Sequence, residues 1–424
     1  MLTTIQNALK TKEIRMKLLY VLIGLVIVRI GCNIPIPGTK PDVMQNLFNI
    51  TPYITASIIL QLLTIAIPRL EEMQKDGEDG RKKINEYTRY LSIALAVIEG
   101  AAIVIGFRNQ GLFGTDNPQS SMTTAIVVAV AALTAGAAFM MWLGEQITEK
   151  GVGNGISIIL LINIVARIPN DLSNLYQNYV AKPTDVTSKI IAAVIILAII
   201  VAMFVFIVFL QDGERRIPVQ YAKKIQGHKV SGGQSSHIPL KVNTAGVIPV
   251  IFASSMMSLP VVIASFAGIQ PKTGPDATFF QKFLTLCNQS DWCKIGSFAE
   301  FKYTLGLLIY IGLVIFFAYF YTSVTFNPLE ISNNMKKQGG FIPGIRPGKP
   351  TTEYLTTVLN SIIFLGAIGM VIVCALPIFF SGAFGADVSF SGTSLIIVVG
   401  VVIETIKQIE SLVLVRHYKG FLGN

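Results

Sequence analysis

Stretches of nearly unbroken apolar residues, each close to the length of a bilayer crossing, alternate along the chain with polar connections. Ten of them run approximately Lys17–Pro35, Thr51–Ile67, Tyr90–Phe107, Thr123–Leu143, Gly155–Ile168, Ile190–Leu210, Thr244–Phe266, Leu305–Thr325, Leu355–Phe379 and Thr393–Val413. A hydrocarbon core about 30 Å thick takes about 20 helical residues to cross. Backbone in lipid must satisfy its own hydrogen bonds, so each stretch predicts a transmembrane helix. The fifth is short and follows the run Gly151-Val-Gly-Asn-Gly155, which predicts a tightly packed helix start sheltered by other helices.

The second stretch has an uneven circumference. On a helical wheel Ala66, Ile59, Pro52, Leu63, Ala56, Ile67, Leu60 and Tyr53 share one arc of about 140°. The other side carries Thr64, Ser57, Gln61, Thr51 and Thr55, with Ile54, Ile65, Ile58 and Leu62 set among them. A purely lipid-facing helix has no use for five hydroxyl or amide groups on one side. A helix bordering a water-filled path with an apolar constriction does. The alternative is hydrogen bonding to neighbouring helices.

Composition agrees with the pattern. Charged residues are 14% of the chain and hydrophobic ones 52%, with mean hydropathy +0.60. A soluble domain carries about 25% charged residues. No small-residue cleavage site follows the long first apolar run, so no cleavable signal peptide is expected. With both termini cytoplasmic, most of the 34 basic residues fall on the cytoplasmic side, as the positive-inside tendency requires. The net charge of +10 and pI near 9.3 follow partly from this asymmetry and from attraction to anionic lipids.

Two cytoplasmic loops exceed the needs of connection. Residues 211–241 carry Arg215, Arg216, Lys223, Lys224, Lys229 and Lys241; residues 327–353 carry Lys336, Lys337, Arg346 and Lys349. Both interleave basic residues with apolar or aromatic ones, among them Ile217, Val219, Tyr221, Phe341, Ile342 and Ile345. That mixture predicts docking surfaces, and long basic loops suit a ribosome, an RNA-bearing particle or a motor protein.

Catalytic chemistry is nearly absent from the pattern. His228, His237 and His417 are too widely spaced to suggest a metal site. The glycine run at 151–155 lacks the Lys-Ser/Thr of a phosphate-binding loop, and no Ser-His-Asp order or metalloprotease motif stands out. Cys32 and Cys374 lie in apolar spans. Cys287 and Cys293 share an outside loop, either as a disulfide or as two free thiols. Within the spans, Arg29 sits near an end, and Glu404, Lys407 and Glu410 are spaced to pair along the last helix. Glu99 is deep in the third, where an unpaired charge costs ~2.5–3.5 kcal/mol. Ion-coupled transporters keep several acidic groups near midplane; this chain has one.

Linear motifs then carry a resemblance. IPIPG (34–38), TPYITASIILQLL (51–63), GRKKINEYTRY (80–90), WLGEQITEKGVGNGISIIL (142–160), ERRIPVQYAKK (214–224), SSHIPLKVNTAGVIPVIFASS (235–255), FNPLEISNNMKKQGGFIPGIRPG (326–348) and GTSLIIVV (392–399) occur in order across nearly the whole chain. In them the chain resembles the SecY family, the central subunits of bacterial protein-conducting channels.

The resemblance implies an all-α polytopic membrane protein of ten transmembrane helices, in two pseudo-symmetric five-helix halves around a central pore. The halves map to residues 1–170 and 190–424, joined by an external hinge at 171–189. It implies a pore ring of Ile54, Ile58, Leu160, Ile164, Ile251 and Ile397, bulky uncharged side chains that offer small ions no hydration yet yield around a passing chain. It implies a lateral gate whose polar cluster comprises Thr55, Gln61, Glu99, Ser254 and Ser255. It further implies docking of the ribosome and the SecA ATPase on the basic loops, through Arg215, Arg216, Lys223, Lys224, Lys336, Lys337 and Arg346. SecE and SecG are the implied membrane partners, and signal sequences and nascent polypeptides the implied cargo. No cofactor or metal is implied, and because the partners supply the energy the subunit is not expected to be an enzyme. The chain departs from the family between IPIPG and the PYI-containing helix, where only Thr39 to Ile50 intervene. Family members place a longer segment there, part of which folds back as a plug, so the plug is expected to be lost or shortened. The rival reading is a secondary transporter or small-solute channel, which accounts for ten spans but not for the docking loops or the ordered motifs.

Overall fold

The computed structural model describes residues 10–36, 39, 50–108, 119–177, 186–221, 224–226, 229–231, 235–266, 269, 271, 277–289, 292–293, 304–384 and 392–422. All ten apolar stretches lie in helices: α1 (Lys12–Cys32), α2 (Thr51–Ala66), α4 (Glu78–Arg108), α5 (Gln119–Lys150), α6 (Gly155–Val165), α8 (Val186–Asp212), α9 (Ile248–Phe266), α11 (Leu305–Thr325), α13 (Lys349–Phe384) and α14 (Gly392–Leu422). Shorter helices are α3 (Pro68–Lys75), α7 (Ile168–Leu175), α10 (Phe279–Cys287) and α12 (Pro328–Lys337). Among the described residues six helices are long and apolar enough to cross a membrane by length and composition, or seven with the bent pair α2–α3 counted as one span. That pair turns by 100° at Ile67. The proline at 68 forces the residue before it out of the helical region, and Ile67 is extended at φ −112° and ψ 109°.

The all-α expectation acquires two small sheets, one built from both the α8–α9 and α11–α13 connections and one within the α8–α9 connection alone. Strands β1 (Glu214–Tyr221), β4 (Ser235–Lys241) and β5 (Gly340–Phe341) form one sheet in the order β4-β1-β5; β2 (Lys224–Gln226) and β3 (Lys229–Ser231) form the other. The β1–β4 register is antiparallel and pairs Glu214 with Lys241 and Ile217 with Ile238.

The chain divides into two compact units, residues 1–169, 258–285 and 401–424, and residues 170–257 and 286–400. In the first, Val28 and Cys32 of α1, Ile50, Met140, Leu143 and Ile147 of α5, and Ile158 and Ile159 of α6 form a buried cluster. A second cluster joins Ile14, Val152, Ile409 and Val413, fixing the end of α14 to α1. Arg89 of α4 donates through Nε to Glu145 Oε1 of α5 at 2.7 Å, so the GRKKINEYTRY and WLGEQ motifs meet in a salt bridge. That bond holds the Arg89 guanidinium above its usual pKa.

In the second unit the sheet has its own core. Ile217, Val219 and Leu240 pack with Met335, Ile342, Leu355, Val358 and Ile362. Strand alternation buries Ile217 and Val219 and leaves Arg216, Pro218 and Gln220 outside. Helix α8 is apolar all round and exposes Val194, Ile195, Leu197, Val201 and Phe209, as a lipid-facing helix does.

Candidate pore, gate and docking residues

Four of the six expected ring residues belong to the first unit. Ile54 of α2 and Leu160 of α6 are half-buried and pack against one cluster, whose members come from α1, α5 and α6. Ile58 is buried and Ile164 half-buried. The other two, Ile251 of α9 and Ile397 of α14, are half-buried in the second unit, beside the buried pairs Phe252–Ala253 and Leu395–Ile396.

Helix α6, which bears Leu160 and Ile164, starts in a way its sequence dictates. The Asn154 side chain caps it, accepting from Ile156 N at 3.1 Å and Ser157 N at 3.3 Å. Gly155 N donates to Thr148 Oγ1 at 2.8 Å, and a Cβ at Gly155 would collide with the Gly144 carbonyl of α5. Only glycine allows α6 to lie this close to α5.

Two hydroxyls of α2 are spent on their own helix. Thr55 Oγ1 donates to Thr51 O at 3.1 Å and Thr64 Oγ1 to Gln61 O at 2.7 Å, which differs from the neighbour-helix bonding considered above. Gln61 is exposed. Glu99 of α4 is half-buried, and among the described residues no hydrogen bond or ion pair reaches its carboxyl group. Ser255 is exposed on α9. Ser254 is engaged inside the second unit, where its Oγ lies 3.3 Å from Tyr310 OH and accepts from Gln289 Nε2 at 3.3 Å.

The expected docking residues sit on the edges of the sheet core. Arg215, Arg216, Lys336, Lys337 and Arg346 are exposed. Arg216 is held by Glu214 at 2.6 Å. Lys336 and Lys337 close the last turn of α12, where cations face the negative end of the helix. Arg346 stands on a braced turn: Ile345 N donates to Ile342 O at 3.0 Å, and Thr351 Oγ1 donates to the Arg346 carbonyl at 2.8 Å. Lys224 lies in β2, and Lys223 is outside the described residues. The apolar partners of these charges need correction. Ile217, Val219 and Ile342 are 1–3% exposed and form the shared core, so they are not part of an accessible docking face.

Cys287 and Cys293 are separate buried thiols, pushed above their usual pKa by that burial. Sequence reasoning singled out these cysteines and passed over Gln289 and Trp292 between them. Trp292 is 1% exposed and packs on Tyr310, a contact that no local pattern announces.

Comparison with known proteins adds to this geometry. A family model described as SecY matches residues 47–406. Over all of both chains, the protein is 42% identical to the protein translocase subunit SecY of Streptomyces scabiei, 40% to that of Mycobacterium bovis and 40% to that of Halalkalibacterium halodurans. Among solved structures, it is similar to a SecY protein whose plug domain stabilises the closed state of its translocation channel and maintains a membrane seal. That likeness has a TM-score of 0.65 at 18% identity and covers 93% of this chain and 92% of that one. Sec61 in the canine ribosome–channel complex from the endoplasmic reticulum gives 0.60 at 17% identity, over 93% and 92%. At such identities the likeness is one of fold. The relatives matched end to end carry the kinship itself, and the chain, a multi-pass membrane protein, belongs to the SecY family.

Proposed function

We propose that this protein is the pore subunit through which unfolded secretory polypeptides cross a bacterial cytoplasmic membrane, with both of its termini in the cytoplasm. The end-to-end match to protein translocase subunits carries this reading. Residues 1–170 and 190–424 act as the two halves of a clamp with a hinge at 171–189. Ile54, Ile58, Leu160, Ile164, Ile251 and Ile397 seal the path against ions. Membrane segments leave sideways through a gate in which Thr55, Gln61, Glu99 and Ser255 supply weak polar contacts. The half-burial of five of the six ring residues supports the first role, since a side chain facing a path cannot be fully packed.

Cargo is driven by the SecA ATPase or by the ribosome, which dock on Arg215, Arg216, Lys223, Lys224, Lys336, Lys337 and Arg346; the subunit supplies no chemistry of its own. SecE and SecG accompany it in the membrane, and anionic lipids attend its basic side. Sec61 and Ssh1, both similar in fold, are known in complexes with ribosomes, which supports the ribosome as a partner here. The aligned length with the Streptomyces scabiei relative is 459 positions against 424 residues in this chain, so that relative carries segments missing here. This is consistent with a lost or shortened plug between Thr39 and Ile50, a stretch that falls almost wholly outside the described residues.

The decisive experiment reconstitutes the protein with its small membrane partners in vesicles and supplies SecA, ATP and a secretory precursor. Protease-protected precursor inside the vesicles is expected. Saturable uptake of a small solute with no protected precursor would favour the transporter reading instead.

A further inference from the structure

Polar side chains from four separate stretches meet within the second unit, one helical turn from Ile251. Ser254 Oγ of α9 accepts from Gln289 Nε2 and lies 3.3 Å from Tyr310 OH of α11. Tyr310 is in turn hydrogen-bonded to the Cys374 thiol of α13. One direction of donation satisfies the whole chain. Gln289 donates to Ser254, Ser254 to Tyr310 and Tyr310 to Cys374, so each hydroxyl donates once and accepts once. Tyr310 and Cys374 are 2% and 4% exposed, and in so dry a place a linked chain of hydrogen bonds is strengthened and an unpaired member is costly.

The segment bearing Gln289 is itself fixed to α11. Trp292 Nε1 donates to Leu286 O at 2.9 Å, the Trp292 ring centroid lies 5.7 Å from that of Tyr310, and Cys293 N donates to Thr304 Oγ1 at 3.3 Å. A Cβ at Gly306 would strike both the Leu286 carbonyl and the Trp292 ring, so the segment lies directly against the start of α11. Gln289 is therefore a braced donor. The three residues of α9 before Ser254 are of a different kind: Ile251, Phe252 and Ala253 make apolar contacts, including the Phe252–Phe317 stack at 5.2 Å. Apolar packing tolerates sliding, whereas a hydrogen bond holds one register.

We propose that Tyr310 and Gln289 are positioning residues of the channel, which act through Ser254 to latch the part of α9 that carries Ile251 against α11 and α13. The latch rests on the proposed function, in which α9 carries Ile251 of the ring and Ser255 of the gate. It sets how much a signal sequence must contribute before that helix shifts, so a weaker latch relaxes discrimination between good and poor signals. It also takes Ser254 out of the polar cluster expected at the seam and gives it an inward task.

The test compares export of one precursor with an intact signal and the same precursor with a charge inserted in the signal's apolar core, in the reconstituted complex. Tyr310→Phe and Gln289→Leu each remove one of the two links to Ser254. Each is expected to raise defective-signal export about 2- to 10-fold relative to intact-signal export, the range that the loss of one ordinary hydrogen bond produces. Ser254→Ala combined with Tyr310→Phe should add little to Ser254→Ala alone, and Ser254→Thr, which keeps the hydroxyl, should stay near the parent. Discrimination unchanged in both Tyr310→Phe and Gln289→Leu, with intact-signal export normal, overturns the latch and leaves the channel reading standing. Additive effects of Ser254→Ala and Tyr310→Phe overturn it also. Failure of the parent complex to export the intact precursor overturns the channel reading, and the latch with it.

Discussion

Arg346 shows how a single exposed cation is made useful. Its carbonyl accepts from Thr351 Oγ1 and the residue before it is tied to Ile342 O, while its guanidinium projects with no ion-pair partner among the described residues. Arg216, by contrast, is already partly neutralised by Glu214. A charge-assisted contact is worth about 1.5–3 kcal/mol, so Arg346→Glu is expected to weaken binding of the cytoplasmic partner by about tenfold or more. An exposed substitution away from packed groups changes stability by about 0.5 kcal/mol or less, so the melting midpoint in detergent should not move. Quantifying SecA or ribosome binding to vesicles beside that melt checks both halves; normal binding would remove Arg346 from the docking face. The residue types were legible in the sequence here, as a basic loop. The identity of the apolar residues between them was not, because a strand buries alternate positions against whatever element covers it, and that element lay a hundred residues away.

At the level of elements, α6 depends on the five residues before and at its start. Asn154 supplies the cap and Gly155 the close approach to Gly144 of α5. Gly155→Ala places a methyl group against backbone, which cannot swing aside as a flexible side chain would. The expected loss is about 1–3 kcal/mol of stability, read as a lower melting midpoint, together with ion leakage through the resting channel because Leu160 and Ile164 move with the helix. Asn154→Gly serves as the control, since that change at a helix cap costs only a few tenths of a kcal/mol. A Gly155→Ala protein that melts and seals like its parent would show that α5 and α6 can separate freely. The tight start of this helix was readable from its glycines; the partner surface on α5 was not.

For the whole molecule, the short link between the first two apolar stretches is the outstanding departure from the family. An extended chain reaches at most about 3.6 Å per residue. Eighteen residues, Asn33 to Ile50, join α1 to α2, and the twelve that follow IPIPG leave little for a folded plug. On the proposed reading, the ring of apolar side chains then seals the resting channel largely unaided. Resting ion conductance in planar bilayers is expected to exceed that of a plug-bearing relative, such as the SecY protein whose plug domain maintains its membrane seal, and signal discrimination to be laxer. Equal resting conductance of the two channels would sink this expectation.

The sequence by itself determined the positions of the ten apolar helices and the family. Lipid enforces length and backbone satisfaction segment by segment, and proline and glycine act on their immediate neighbours. Only the tertiary structure decided that Ile217, Val219 and Ile342 share one core, that Arg89 meets Glu145, and that Ser254 is committed to Gln289 and Tyr310. Those outcomes depend on which of several similar apolar helices become neighbours. Local periodicity says which face of a helix is polar, but the partner that meets it is set by packing across distant parts of the chain.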